Sequence, residues 1–413
     1  MREMKDSGVP WIGEIPEGWI IRKLKSVSDI IMGQSPDGDT IKQDGTLPFM
    51  QGNTEFGVSY PHPSIYCDVA PKHSRIGDIL MSVRAPVGAL NLSDKVYGIG
   101  RGLCSIKALG LNSRFLWYYL LKSQDDFKIY SAGSTFEAIT TKILMNWTIV
   151  LPPLKEQVRI VELLDLKCQE IDFLLKELQV SIRDYKRLKR SLISDTVIKG
   201  VDRRRKMKDS GSVWFETIPS TWNLKRLKYL FSIEKRIAGE TGHTVLAITQ
   251  KGIVPKTMEN GSGQFAEDYS NYQLVFPGDF AMNHMDLLTG WVDISKYAGV
   301  TSPDYRVFTI KDTTSTYPAY YLYFMQMCYL DRIFYGLGQG VSGMGRWRLQ
   351  ADKFLNFRIP VPPMEEQQEI AAYLDEKCAA IDSLIASKET LITELEAYKK
   401  SIIYEYVTGK KEV

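Results

Sequence analysis

The chain repeats itself at a distance far too long for a stacked solenoid, and that period constrains its architecture before any single residue is interpreted. Lys5-Asp6-Ser7-Gly8, Trp11, Ile15-Pro16, Trp19 and Leu24-Lys25 return 203 positions later as Lys208-Asp209-Ser210-Gly211, Trp214, Ile218-Pro219, Trp222 and Leu227-Lys228. A second set, Ile149, Pro152-Pro153, Glu156-Gln157, Ile160, Leu164-Asp165, Lys167-Cys168 and Ile171-Asp172, returns at an offset of 210 as Ile359, Pro362-Pro363, Glu366-Gln367, Ile370, Leu374-Asp375, Lys377-Cys378 and Ile381-Asp382. Between these anchors the likeness thins to a frame, in which Gly77-Asp78, Met81 and Gly88 align with Gly278-Asp279, Met282 and Gly290. A period of this size means duplicated domains, and 413 residues leave room for two or more cores. The anchors repeat while the middle sections diverge, which reflects either drift or two different ligands.

The segments after the two Pro-Pro pairs are helical by pattern, because Pro is tolerated at a helix start and neither Gly nor Pro follows until Gly200 or Gly409. In the first, Leu164, Ile171, Leu178, Tyr185 and Leu192 recur every seven residues, with Cys168, Leu175 and Ile182 offset by four. This is a heptad seam. The second copy carries Leu374, Ile381, Leu395 and Ile402 with Cys378, Ile385 and Ile392, while Lys388 and Lys399 (matching Lys189) are expected to weaken the seam's ends. Four heptads without an internal cap favour a helix pair standing clear of globular cores.

Ahead of each helix lie about 150 residues punctuated by Gly and Pro, with β-like runs such as Ile79–Val83, Trp147–Leu151 and Arg306–Ile310, which read as α+β domains. Leu116–Leu121 and Ala319–Met325 read as one buried helix in two copies, their aromatics packing the core. Arg203-Arg204-Arg205-Lys206 reads as a solvated basic connector, with phosphate contact as the alternative.

Composition excludes more than it selects. A net charge of +3 is too small for a bulk neutraliser of phosphate but allows local basic clusters. The five cysteines (Cys67, Cys104, Cys168, Cys328, Cys378) lack a Cys-x-x-Cys pair, which removes a disulfide framework and a cysteine-rich zinc module. No apolar h-region follows the N-terminal Met1 to Asp6 and no stretch of 18 apolar residues occurs, so a cytoplasmic location is expected. There is no phosphate-cradling Gly-x-x-x-x-Gly-Lys-Ser/Thr loop, no Gly-x-Gly-x-x-Gly after a strand, and no metal spacing among His62, His73, His243 and His284. The cluster of Asn283, His284 and Asp286 is the most suggestive, though a polar loop explains it equally well; Asp37-x-Asp39 reads as turn capping. A non-enzyme is expected: either a two-part nucleic-acid reader or a coiled-coil protein scaffold. An amino-methyltransferase ranks last, for want of an Asn-Pro-Pro-Tyr-type motif.

On these residues the chain resembles the specificity (S) subunits of type I restriction-modification systems. The resemblance rests on the helix-opening motifs Pro152-Pro153-Leu154-Lys155-Glu156-Gln157 and Pro362-Pro363-Met364-Glu365-Glu366-Gln367 set in the two repeats. Further matches are Gln51-Gly52-Asn53, Gly77 to Gly88, Gly100-Arg101-Gly102-Leu103, Gly133-Ser134-Thr135-Phe136 and Ser302-Pro303-Asp304-Tyr305. It implies two tandem target-recognition domains, each followed by a long helix, the helices pairing as an antiparallel coiled coil with pseudo-two-fold symmetry. The expected segments are 1–150, first domain; 151–200, first helix; 201–210, basic linker; 211–358, second domain; and 359–413, second helix. It also implies reading of a split, asymmetric site in double-stranded DNA and recruitment of two methyltransferase (M) subunits and restriction (R) subunits. No cofactor is expected in this chain, with S-adenosylmethionine and ATP/Mg belonging to those partners. A helix from Leu154 to Asp195 would span roughly 60 Å at about 1.5 Å per residue, enough to separate two DNA sites.

Major-groove edges demand paired donors and acceptors, which selects Arg, Lys, Asn, Gln, Ser and Thr on loops. The candidates are Gln34, Ser35, Gln51, Asn53, Arg84, Arg101, Ser134 and Thr135 in the first domain. In the second they are Thr249, Gln250, Lys251, Asn283, His284, Gln339, Arg346 and Arg348. Arg84, within Val-Arg-Ala-Pro, reads equally well as a buried structural guanidinium. Because Asn283-His284-Met285 stands where Ser82-Val83-Arg84 stands, no base code carries from one copy to the other.

Overall fold

The computed structural model describes residues 2–9, 11–37, 40–131, 138–256, 268–340 and 347–413. They divide into two compact units, Met1–Leu178 with Glu389–Val413, and Gln179–Lys388. Each unit joins one globular domain to part of each of two long helices, Leu154–Lys199 and Met364–Val407.

In the first unit an antiparallel sheet runs in the order Ser28–Met32, Leu103–Ala108, Ile79–Ser82, Leu90–Leu92. The second unit repeats that order with Phe231–Glu234, Arg306–Ile310, Phe280–Met282 and Val292–Ile294. The Gly-Asp frame shared by the repeats is the turn entering the central strand. Gly77 and Gly278 take φ of 86° and 93°, which favours glycine. The following carboxylates then accept the backbone N–H three residues back, Arg75 to Asp78 at 2.9 Å and Phe276 to Asp279 at 2.8 Å.

Around these shared sheets the units differ. The first adds a four-stranded sheet, Gly98–Ile99, Leu47–Met50, Ile65–Cys67 and Ile41–Lys42, whose first pair is parallel. The second carries instead the hairpin Leu246–Thr249 with Gly252–Pro255 and the pair Gln273–Val275 with Gly299–Thr301. The helices Ser113–Lys122 and Pro318–Leu330 pack their aromatics into the two cores, as expected from their composition. The first is capped by Asn112, whose side chain accepts from the N–H groups of Arg114 and Phe115; the second begins on Pro318.

The Pro-Pro-x-x-Glu-Gln motif acquires a physical role in both copies. Glu156 takes Arg2 through two hydrogen bonds (2.6 and 2.8 Å) and the indole N–H of Trp19 at 3.1 Å. Glu366 takes Arg205 and the indole N–H of Trp222, the latter at 2.8 Å. The next residue ties the helix start to its domain: Gln157 accepts from Asn112 N–H and donates to Pro152 carbonyl, and Gln367 accepts from Tyr317 N–H and donates to Pro362 carbonyl. Trp19 and Trp222 are both 0% exposed. The N-terminal anchor of each repeat is therefore the lock for the helix-opening motif of the same domain. Arg205, in the basic run, belongs to this lock, whereas Arg203 and Arg204 are exposed.

Both long helices start just after Pro-Pro and stop at glycines with left-handed backbone, Gly200 (φ 78°) and Gly409 (φ 71°), as the Gly punctuation predicts. In the first unit Leu164, Cys168 and Ile171 are buried in the same cluster as Ile402, Ile403 and Val407. In the second, Ile193 and Val197 share a cluster with Ile370, Leu374 and Cys378. The pairing is antiparallel in each: Arg159 reaches the Val413 carbonyl while Lys399 reaches Asp172 at 2.6 Å, and Lys388 lies over Tyr185 while Lys189 reaches Asp382 at 2.7 Å. Lys189 and Lys399, expected to weaken the seam, end in reciprocal ion pairs across it. At partly exposed positions each pair is worth about 0.2–1 kcal/mol and contributes register more than stability.

Candidate nucleic-acid interface

Three loops of the first unit meet at the ends of its two four-stranded sheets. Gly33 N–H donates to Leu103 carbonyl, Gln34 N–H to Ile99 carbonyl and Gly102 N–H to Gln51 carbonyl, at 2.9, 2.9 and 3.1 Å. The glycines make this approach feasible: a Cβ on Gly33 would strike the carbonyl of Gly100, and one on Gly102 the carbonyl of Gln51. On this base the Ser35 hydroxyl lies 2.9 Å from Gln51 Nε2, and Arg101 Nε donates to the same hydroxyl at 3.4 Å. Val83 N–H donates to Gly102 carbonyl at 2.9 Å, which brings Arg84 beside the cluster. Arg84 is exposed, so the reading of a buried structural guanidinium is corrected: the neighbouring Val83 takes the core position. Asn53 follows on the Gln51 loop, its carbonyl accepting from Phe56 N–H. Gln34, Ser35, Gln51, Asn53, Arg84 and Arg101 thus come together on one loop surface that presents donors and acceptors to solvent. Ser134 and Thr135 lie outside the described residues.

The second unit gathers its candidates differently. Thr249, Gln250 and Lys251 form the turn of the hairpin absent from the first unit. Thr249 holds that turn, its hydroxyl donating to Gly252 carbonyl (2.9 Å) and accepting from Lys251 N–H (3.1 Å). Gln250 Nε2 reaches the Thr289 carbonyl at 3.3 Å, connecting the hairpin to the loop after Met282. In that loop the Asn283 side chain accepts from Met285 N–H at 3.2 Å, a turn-stabilising role. Gln339 and Arg348 exchange both backbone hydrogen bonds (2.9 and 3.0 Å), and Leu349 N–H donates to the His284 carbonyl at 3.0 Å. His284, Gln339 and Arg348 are thereby brought together, and Gln250 joins the far end of the His284 loop; Arg346 lies outside the described residues.

Burial pushes the His284 imidazole down to about 3, and the nearby Arg306 and Arg348 charges push the same way, so the ring is neutral at physiological pH. Arg306, which sequence reasoning read only as the start of a core strand, is buried beneath it. Its alignment with Cys104 of the first repeat is the signal that would have singled it out: each is the strand residue paired with the shared methionine, Met81 or Met282. Cys104 is sealed in the core, where desolvation raises its thiol to about 12, which leaves it no nucleophilic role at neutral pH. Among the described residues no group of His, Cys, Asp and Glu is arranged to hold a metal ion, and no helix is long and apolar enough to cross a membrane.

The model of the type I restriction modification DNA specificity domain matches this chain twice, over residues 16–178 and 219–397. The chain belongs to that family. Its two matches fall on the two repeats, each running from the N-terminal anchor into the coiled-coil helix. Among curated relatives in the family, a putative type I restriction enzyme MjaX specificity subunit of Methanocaldococcus jannaschii is 42% identical over 151 residues. That stretch covers 35% of this chain and 36% of the relative, so it speaks for about a third of that protein. The MjaVIII specificity subunit of the same organism is 26% identical over 317 residues, 73% of this chain and 71% of the relative. Two solved structures share the fold at 18% identity. One is a chain from work on complex assembly and conformational transition of the type I R-M system (TM-score 0.71, covering 96% of this chain and 99% of that one). The other is an HsdS subunit from Thermoanaerobacter tengcongensis (TM-score 0.51, covering 96% and 98%). These likenesses support the α+β, two-domain, helix-paired architecture expected for the specificity family.

Proposed function

We propose that this chain is the DNA-specificity subunit of a type I restriction-modification complex, in which each domain reads one half of a split, asymmetric site and the paired helices set the distance between halves. The observation that carries this reading is a common sheet and a common helix lock bearing two unlike polar loop surfaces. The lock of Trp19, Arg2 and Glu156 recurs as Trp222, Arg205 and Glu366, whereas the Ser35, Gln51 and Arg101 cluster has no counterpart in the hairpin and His284 loop of the second domain. A scaffold binding one partner twice gains nothing from that divergence; a reader of two different half-sites requires it.

Two methyltransferase copies would dock on the helices, where exposed apolar side chains recur at the 210-residue offset with matched exposure: Leu174 and Leu384 at 47% and 46%, Leu188 and Tyr398 at 53% and 52%. Repeated exposed apolar positions suit a repeated partner. Restriction subunits would join through the same complex, S-adenosylmethionine and ATP/Mg would be bound by the partners, and the assembly would work in the cytoplasm. Methylation profiling of DNA from cells expressing this chain with its methyltransferase partner tests the reading. A bipartite asymmetric motif that vanishes when this chain is deleted supports it; a complex that forms yet leaves no motif contradicts it.

A further inference from the structure

Arg306 is 4% exposed; its Nη2 donates to the Leu349 carbonyl at 2.8 Å, and its Nη1 is buried with no partner among the described residues. The guanidinium lies over the Phe354 ring, 4.8 Å from its centroid, and no carboxylate of the described residues lies within ion-pair distance. A buried cation in that state is expensive, and a fold retains one where something supplies the missing acceptor. Arg306 lines a surface pocket together with His284, Arg348, Pro303 and Asp304, and His284 Nδ1 is likewise buried and unpartnered. The two residues that carry these orphaned atoms therefore line one opening together with Arg348. The first domain lacks the feature, because Cys104 fills the same place on the same sheet. The shared scaffold does not need the arginine.

We infer that this pocket is a DNA-contact site belonging to the second domain alone, in which Arg306 and His284, buried beneath Arg348, receive an acceptor oxygen of the duplex. The inference rests on the DNA-reading function proposed above and adds to it a residue that lies beneath the loop surface. That oxygen is carried either by a backbone phosphate or by the major-groove edge of guanine, both of which guanidinium donors bind. The fixed donors, already desolvated and held by Leu349 and Phe354, make the contact without further ordering of the side chain.

The test uses the full chain in complex with its methyltransferase partner, with a duplex carrying the motif found by methylation profiling, a set of single-base variants of it, and a scrambled duplex. Arg306→Met retains the stem over Phe354, and Arg306→Cys installs the residue that the first domain accommodates; thermal melting selects the variant that folds. A uniform loss of affinity of roughly five- to a hundredfold on all duplexes, with the salt slope reduced by about one, supports the site with a phosphate as the source. Loss of discrimination at one position of the second half-site supports it with a guanine edge as the source. Affinity, salt slope and discrimination equal to wild type overturn it. Should neither variant fold, the ring-nitrogen NMR shifts of His284 in the wild-type complex decide: a change on adding the motif duplex supports the site, and none means the pocket holds water only. A wild-type complex that prefers its motif while the variants match it refutes this site alone. One that shows no preference removes the proposed function and the site together.

Discussion

A single carboxylate holds each domain to its helix, and its energetics are set by what it leaves behind when removed. Glu156 satisfies a guanidinium and an indole N–H at a site where both side chains are mostly buried, so its loss strands two donors. Glu156→Ala is expected to cost about 1–3 kcal/mol in chemical denaturation, and Glu366→Ala a similar amount in the second unit. An unchanged midpoint for either would show that the lock is decorative. His284 provides a second residue-scale test. Its folded value, about 3, lies below the ordinary value of 6.5, so between these limits the unfolded chain binds a proton that the folded chain refuses. Its contribution is complete above pH 6.5 and falls as the pH drops toward 3. The difference in stability between wild type and His284→Asn should therefore shrink or reverse on acidification, with a slope no steeper than about 1.4 kcal/mol per pH unit for one proton. A pH-independent difference would mean the imidazole is solvated. Single residues were also where sequence was least informative. Glu156 was visible as part of a motif but not as a lock, since its partners Arg2 and Trp19 are remote in sequence, and the burial of Arg306 is invisible without its alignment to Cys104.

The helices were the most legible elements, because heptad spacing, Pro-Pro openings and terminal glycines all state the same thing. Their ends were predicted within a few residues, while the fate of Lys189 and Lys399 was not: a lysine at a seam position reads as a flaw until the facing Asp382 and Asp172 are known. The first helix of 46 residues extends roughly 70 Å at about 1.5 Å per residue. If it acts as a ruler, deleting one heptad from each helix, Ile171 to Glu177 with Ile381 to Ser387, keeps the seam in register and shortens the pair by roughly 10 Å. Along the duplex that is about three base pairs, at about 3.4 Å each along a strand, with a rotation of roughly a hundred degrees. The shortened protein should select a smaller spacer or fail to methylate, with folding verified by thermal melting. Methylation of the original motif at unchanged spacing and efficiency would show that the coil does not set the distance.

For the whole molecule, duplication was legible from the two offsets, and the common four-stranded sheet explains why the Gly-Asp frame persists where the rest diverges. The extra sheet of the first domain and the hairpin of the second were not legible, because short strands of mixed burial carry little periodic signal. That same difference underlies the proposal of two independent readers, and domain exchange tests it most directly. Residues 1–150 would be replaced with the matching domain of a family member of known motif, and DNA from cells expressing the chimera with its methyltransferase would be profiled. The account predicts that one half-site changes to that of the donor, while the other half and the spacer length persist. Alteration of both halves, or of neither, by a folded chimera that still binds the methyltransferase would contradict it.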